Sequence, residues 1–306
     1  MNAHPSKGTD MSLVVTGATG QLGRLVVASL LAKGVAADQI VALGRDDERL
    51  AELAALGVTT RKVDYTDAGA VAEALTDADR VLLISGNEIG QRLAQHQNVI
   101  DAAKAAGVEL LAYTSVANAN TTGIALGAEH RATEEAIVAA GLPHTFLRNS
   151  WYIENYSDHL ATYIENGTIL GAAGEGRVSA ATRADFAEAT AAALLLERPK
   201  AVYELGGTAF SMTELAAVVT AATGTEVSYT DLPGEELIKV LVGTGLPEQY
   251  AAIIADADLG LGRGELYVEA PDLEDLLGRP ATSLGDCLRA AFSSVEAIPG
   301  GLNSRT

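Results

Sequence analysis

"LVVTGATGQLGRLVVASLL" (13–31) decides the fold of this chain. A β-branched apolar run breaks at Gly17, passes Gly20, and resumes beyond Gly23 in a helical pattern. Strand, glycine turn and helix N-terminus in that order make an anion cradle. The first turn of a helix presents unpaired backbone N–H groups, and glycine lets ligand and backbone come close. Gly17 then permits the tight turn, Gly20 the close approach of a pyrophosphate, and Gly23 the packing of helix on strand. A branched side chain at Gly20 would block that approach and disfavour any positive-φ conformation there. The spacing is Gly-x-x-Gly-x-x-Gly rather than Gly-x-Gly-x-x-Gly, so it discriminates a binding turn from a structural one only in its wider frame.

That frame is an alternation of strands and helices. Strands are expected at "SLVVTG", "QIVALG", "VTTRKV", "RVLLIS", "ELLAYTS" and "HTFLRN", with helices near 21–33, 47–56, 68–76, 89–106 and 128–140. The cadence predicts right-handed βαβ crossovers, hence an α/β fold of the Rossmann type: a doubly wound parallel sheet with a smaller α/β C-terminal lobe. The sheet domain is expected over 11–150, with 178–206 (a helix near 183–197 and the strand "AVYEL") returning to it. The smaller, substrate-binding lobe takes 151–177 and 207–293, the latter read as helices around one strand, "EVSYT". The tails 1–10 and 294–306 are expected to be mobile, and Met11 is an alternative start.

Bulk properties exclude several classes. The chain has 306 residues, 48% of them hydrophobic, enough for a full core. "MNAHPSKGTDM" lacks a signal-peptide core and runs such as "AAALLLE" are too short to span a bilayer, so the expectation is a cytoplasmic protein with no membrane partner. Cys287, the one cysteine, has no internal disulfide partner and reads as a small hydrophobe on a helix face. A net charge of −19 opposes nucleic acid. It also requires local positive charge wherever an anionic ligand binds. The five histidines show no metal-ligand spacing, so no metal is expected, and no Gly-x-Ser-x-Gly elbow points to hydrolysis.

The end of the second strand supplies that charge. "VALGRDDERL" (41–50) places Arg45 where an acidic residue would hold the 2′-hydroxyl of NAD, about 20 residues beyond the glycines. A guanidinium there suits the 2′-phosphate of NADP, the alternative being a surface arginine capped by Asp46 or Asp47. "VDYTD" (63–67) sets Asp64 and Tyr65 after the third strand, where Asp64 either accepts from an adenine amino group or starts a turn.

"TGATGQLG", "LLISG", "QRLAQHQNVIDAAKAAGV", "LAYTS", "HTFLRNSWYIENY" and "GAAGEGRVSAATRADFAEA" together resemble the atypical short-chain dehydrogenase/reductase family with NmrA-like members. Within it the likeness is to the bacterial NADPH:quinone reductases, with the triphenylmethane reductases nearby, over about residues 12–293. The resemblance implies NADPH as cofactor, hydride transfer without flavin or metal, and a small C-terminal lobe closing a substrate cleft. By position it implies that Gly17, Ala18, Thr19, Gly20, Gln21 and Leu22 line the pyrophosphate, that Arg45 meets the 2′-phosphate, and that Ser85 and Gly86 lie near the riboses. A non-catalytic NADP sensor that binds protein partners belongs to the same resemblance. So does a reductase of dyes, other activated acceptors or lignan-like ethers.

The chain departs from the wider superfamily at the proton donor. Thr114 and Ser115 follow "LLAY" and are candidate cofactor contacts, but the helix that should carry Tyr-x-x-x-Lys reads "AEHRATEEA" (128–136), with His130 and Glu134 at i and i+4. These two are either a functional pair or a solvated contact. Reducing a ketone makes an alkoxide and calls for a positioned acid, whereas reducing a quinone makes a phenolate, whose conjugate acid titrates near ~10. The missing tyrosine therefore counts against simple ketones and is tolerable for a quinone or a similar aromatic acceptor. "LRNSWYIENY" (147–156) offers Asn149 as a donor to a quinone oxygen and Trp151, Tyr152 and Tyr156 as flat partners in a chain only 5% aromatic; the other reading is that Trp151 and Tyr152 are packing residues. A homodimer is left open.

Overall fold

The computed structural model describes residues 11–88 and 90–296, and the tails proposed as mobile lie outside these apart from 294–296. Its central element is a seven-stranded sheet in the order β3-β2-β1-β4-β5-β6-β9. The strands are β1 Leu13–Val15, β2 Ile40–Gly44, β3 Thr59–Lys62, β4 Arg80–Leu83, β5 Leu110–Val116, β6 His144–Asn149 and β9 Val202–Leu205. Strand order reverses between β1 and β4, and β1 runs parallel to both β2 and β4, Val14 lying level with Val41 and Val81. Such a reversal opens a crevice at the C-terminal ends of the strands, where doubly wound sheets bind ligands. Helices α1 Gln21–Ala32, α2 Asp47–Ala55, α3 Ala68–Leu75, α4 Arg92–Ala106 and α5 Ala125–Ala140 make the crossovers.

The chain divides into two compact units. The first runs through Ser115 and adds Glu129–Leu147 and Ala187–Tyr203. Its strands are short apolar runs because parallel sheets are covered on both faces. All seven residues of β5 are buried. Val14, Val81, Leu83, Leu111 and Tyr113 of the sheet pack with Leu75 of α3, Val99 and Ile100 of α4, and Ile137 of α5. The edge strand β3 instead carries exposed Thr59, Arg61 and Lys62, which discourage edge-to-edge pairing.

The second unit comprises Val116–Ala128, Arg148–Phe186 and Glu204 onward. It contains α6 Glu154–Ser157, α7 Leu160–Asn166, β7 Thr168–Gly171, β8 Arg177–Val178, the start of α8 Arg183–Leu195, β10 Phe210–Ser211, α9 Met212–Thr223, β11 Ser228–Asp231, α10 Gly234–Gly243, α11 Glu248–Gly262, α12 Asp272–Leu277 and α13 Leu284–Glu296. β7 pairs parallel with β11, and β8 antiparallel with β10. Its core gathers Ile153, Tyr156, Leu160, Phe210, Leu215, Val219 and Leu288.

Several boundaries differ from the sequence reading. Residues 207–293 hold β10 as well as β11, because a two-residue strand has no periodicity to read. α4 starts at Arg92 rather than 89, α5 at Ala125 rather than 128, and α13 continues to Glu296, beyond the expected start of the tail. Cys287 lies half-buried on α13 against the core of its unit, and burial raises its thiol to about 11, as suits a small hydrophobe.

Candidate functional site

The glycine turn leads into α1 without a side-chain cap. Gly17 holds φ +61, the left-handed conformation that a tight turn requires, and its carbonyl accepts from Gly20 N–H at 2.9 Å. Gly20 is the N-cap of α1 at φ −76 and ψ 170, an extended conformation open to any residue, so the expectation of a positive-φ requirement there is corrected. No side chain caps α1 and no acidic residue stands in its first turn, which leaves its N–H groups and positive dipole end for an anion. A Cβ on Gly23 would run into Gly17 O and come within 2.7 Å of Ala18 Cα. Both are backbone, so only glycine lets α1 sit so close to the turn. Ala18 and Leu22 are buried beneath the cradle, Gln21 is exposed, and the Thr19 carbonyl accepts from Arg49 Nη1 at 2.9 Å. Arg49 is a second cation at the turn that the sequence reading passed over.

Arg45 stands just past β2, more than half exposed, and faces two carboxylates. Its Nη1 donates to Glu88 Oε1 at 2.6 Å and to Asp64 Oδ2 at 3.4 Å. The hydrogen bond to Glu88 is the main influence holding the guanidinium's pKa above its ordinary value. Asp46, one proposed cap for Arg45, instead caps α2 through Arg49 N–H, and Asp47 pairs with Lys62. Asp64 does start a turn, Oδ1 accepting from Thr66 N–H at 2.8 Å and Thr66 Oγ1 at 2.7 Å. Chiefly the backbone bond lowers its pKa. Tyr65 turns inward and donates to Thr16 Oγ1 at 2.5 Å, while Thr16 accepts from Ile84 N–H at 3.1 Å. These bonds tie the ends of β1, β3 and β4 together. Burial raises the Tyr65 phenol well above its ordinary range, so it stays neutral.

The segment after β4 is clamped by α4. Ser85 N–H donates to Thr114 Oγ1 at 2.9 Å, joining two residues proposed for the cofactor. Gly86 N–H donates to His96 Nε2 at 3.0 Å, and its carbonyl accepts from Arg92 Nε at 2.8 Å. A backbone donor at Nε2 leaves Nδ1 to carry the imidazole proton and donate to Thr133 Oγ1 at 3.0 Å, while Thr133 donates to Glu129 O. Burial, with Arg92 second, pushes His96 down to about 3, so it remains neutral. Arg92 also pairs with Glu129 at 3.1 Å. Ser115 Oγ is buried and has no hydrogen-bond partner, an orphan that a ligand hydroxyl or amide could satisfy.

His130 is not on the surface. It is 4% exposed, with Nδ1 hydrogen-bonded to Tyr113 Oη at 2.7 Å, in a column of rings running from Tyr65 through His96 and Tyr113. Burial drives its pKa well below the ordinary histidine range. Glu134 is 6% exposed, so the reading of this pair as a solvated contact is corrected: α5 turns both residues inward.

In the second unit the acceptor candidates differ from one another. Asn149 ends β6 with both amide atoms buried and no hydrogen bond of normal geometry, although the Tyr152 phenol lies near enough to interact with it. Tyr152 stacks edge-on against Phe186 at 5.6 Å, beneath Arg183 at 4.9 Å. Trp151 is partly exposed at the edge of that unit's core. Tyr156 is buried against Phe210 and belongs to the core, not to an open face. Among the described residues no group of three or more His, Cys, Asp or Glu could hold a metal ion, and no helix is long and apolar enough to cross a membrane.

A bare helix N-terminus behind a left-handed glycine, at the reversal point of a parallel sheet, defines a dinucleotide-binding α/β protein of the Rossmann type. Residues 9–284 match the NmrA-like family, and the chain belongs to it. It is 43% identical over 284 residues to quinone oxidoreductase 2 of Escherichia coli strain K12, covering 92% of this chain and 99% of that protein. The structure of an NADPH-dependent quinone oxidoreductase from Escherichia coli complexed with NADPH superposes with a TM-score of 0.89 at 42% identity, covering 92% of this chain and 99% of the other. The Citrobacter sp. triphenylmethane reductase complexed with NADP(H) gives 0.87 at 36% identity, covering 92% and 100%.

Proposed function

We propose that this protein is an NADPH-dependent reductase that passes hydride directly to a quinone-type acceptor, without flavin or metal. The observation that carries the reading is the uncapped N-terminus of α1 with Arg45 at the end of the neighbouring strand. Its donors fit a pyrophosphate and its guanidinium a 2′-phosphate. Support also comes from the relatives, the Escherichia coli structure being described as an NADPH complex of a quinone oxidoreductase.

The dinucleotide supplies the hydride when bound. The chain's own residues do the rest. Gly17, Gly20 and Gly23 keep the turn narrow enough for backbone N–H groups to reach the pyrophosphate, with Ala18, Thr19, Gln21 and Leu22 lining it. Asp64 and Tyr65 shape the adenosine side, and Ser85, Gly86, Thr114 and Ser115 the ribose and nicotinamide side. Asn149 donates to the acceptor oxygen, and Trp151 and Tyr152 orient its ring. Positioning of the reacting carbons supplies most of the rate. His130, neutral and enclosed against Tyr113, is not needed as an acid, because the phenolate formed from a quinone takes its proton from water. A second reading, reduction of a triphenylmethane-type dye, is favoured by the 36% identity to the Citrobacter enzyme.

The cofactor assignment is tested with Arg45→Ala. Loss of a charge-assisted phosphate contact costs about 1.5–3 kcal/mol, roughly ten- to a hundredfold in NADPH affinity, with NADH nearly unchanged. Titration of cofactor fluorescence reads both constants. Equal weakening of the two cofactors would sink the assignment.

A further inference from the structure

We infer that Glu88 is a built-in competitor of the cofactor's 2′-phosphate for Arg45, and that it sets the margin by which this protein prefers NADPH to NADH. The inference rests on the reading of Arg45 given above.

Glu88 is not a loose surface carboxylate that happens to meet a cation. Its Oε1 accepts from Arg45 at 2.6 Å while its Oε2 accepts from Gln95 Nε2 at 2.8 Å, and Gln95 is 5% exposed on α4. Two residues upstream, both backbone polar atoms of Gly86 are held by buried His96 and Arg92 of the same helix. A Cβ on Gly86 would meet Gln95 Oε1 at 3.2 Å and His96 Nε2 at 3.7 Å, so the segment lies close against α4. The segment after β4 thus presents the Glu88 carboxylate to Arg45 at fixed reach, 43 residues away in sequence. Asp64 contributes less, at 3.4 Å, with its other oxygen engaged by Thr66.

A phosphate monoester carrying about −1.5 to −2 charges seeks the same guanidinium donors that Glu88 occupies. Two anions crowding one cation repel, so the 2′-phosphate must displace Glu88 or accept a poorer contact. NADH brings a neutral 2′-hydroxyl to the same place. That hydroxyl needs no displacement and can donate to a carboxylate. Glu88 therefore penalises NADPH and spares NADH, and the preference that Arg45 creates is held below its full value.

The test is Glu88→Gln, which removes the charge and keeps an amide oxygen able to accept from Arg45. Glu88→Ala serves as a second variant, and the purified protein is titrated with NADPH and with NADH by cofactor fluorescence. Breaking an exposed ion pair corresponds to about a two- to fivefold effect. Both variants should tighten NADPH by that factor and leave NADH unchanged or slightly weaker. Unchanged or weaker NADPH binding in both variants overturns the competition, while the Arg45 assignment stands if Arg45→Ala still selects against NADPH. If Arg45→Ala weakens both cofactors alike, the underlying reading fails and the competition fails with it.

Discussion

Replacing His130 with alanine should damage the fold far more than the chemistry. The imidazole is 4% exposed and bonded to Tyr113 Oη, and Tyr113 is itself fully buried. Taking the His130 partner from a buried hydroxyl that Thr133 also approaches costs up to about 1–3 kcal/mol, and truncating a buried ring adds about 2–4 through lost contacts and a cavity. The sum, about 3–7 kcal/mol, is a large share of a typical stability of about 5–15. Urea denaturation should therefore show a markedly lower midpoint, less so for His130→Gln, which retains a hydrogen-bonding group. The kcat for quinone at saturating NADPH, measured where circular dichroism shows the variant folded, should stay within tenfold of wild type. A dedicated acid would be worth about a hundred- to ten-thousandfold. Asn149→Ala and Trp151→Ala should lose more kcat than His130→Ala, because hydride transfer depends steeply on placement. A thousandfold fall for folded His130→Ala, with Asn149→Ala and Trp151→Ala near wild type, would make His130 the acid and a carbonyl compound the better substrate.

Other consequences follow from the glycine turn and from the second unit. Gly20→Val places a Cβ 3.2 Å from Gly17 O, a tight contact that the turn must yield by a few tenths of an ångström to accept, and should abolish NADPH binding by blocking the pyrophosphate; a variant shown by circular dichroism to be folded that binds NADPH normally would show the cradle to be misplaced. Gly23→Ala should destabilise the protein itself, by about 1–3 kcal/mol in urea titration, since its Cβ meets backbone that must move. Asp258 accepts from Ala172 N–H at 2.9 Å, and burial, aided by Asp231, raises its carboxyl to about 6, with the phenols of Tyr156, Tyr163 and Tyr229 nearby. The folded state then binds more protons than the unfolded one between about pH 4 and 6, so stability on this account is greatest below the window and falls as pH rises through it. Asp258→Asn should remove that fall in the urea midpoint; parallel profiles for variant and wild type would refute it.

Apolar pattern made the sheet legible. Strands such as Arg80–Leu83 and Leu110–Val116 are nearly continuous apolar runs because helices cover both faces. The glycine turn announced itself through residue types that few other structures require. β8 and β10 escaped notice because two residues carry no period, and β7 follows directly on a glycine-capped helix. In the site, Arg45 could be placed from its distance to the glycines, but Glu88 reaches it, and Gln95 anchors Glu88, only through tertiary structure. His130 stays open between a functional pair and a solvated contact in the sequence because "AEHRATEEA" is polar. The helices α4 and α5 bury Arg92, Gln95, His96, His130, Thr133 and Glu134, and several of these satisfy one another across the helices or bond to the neighbouring strand and loop, so polarity there does not report exposure.

The central claim is direct hydride transfer, and deuterium tests it most directly. Purified protein without flavin absorbance is given NADPH deuterated at the transferable C4 position together with a quinone. Quinone should be reduced with equimolar NADPH consumption, at a rate lowered by the heavier isotope and unaffected by added flavin. Turnover that appears only when flavin is supplied, or tight NADPH binding with no turnover on any quinone, would contradict it.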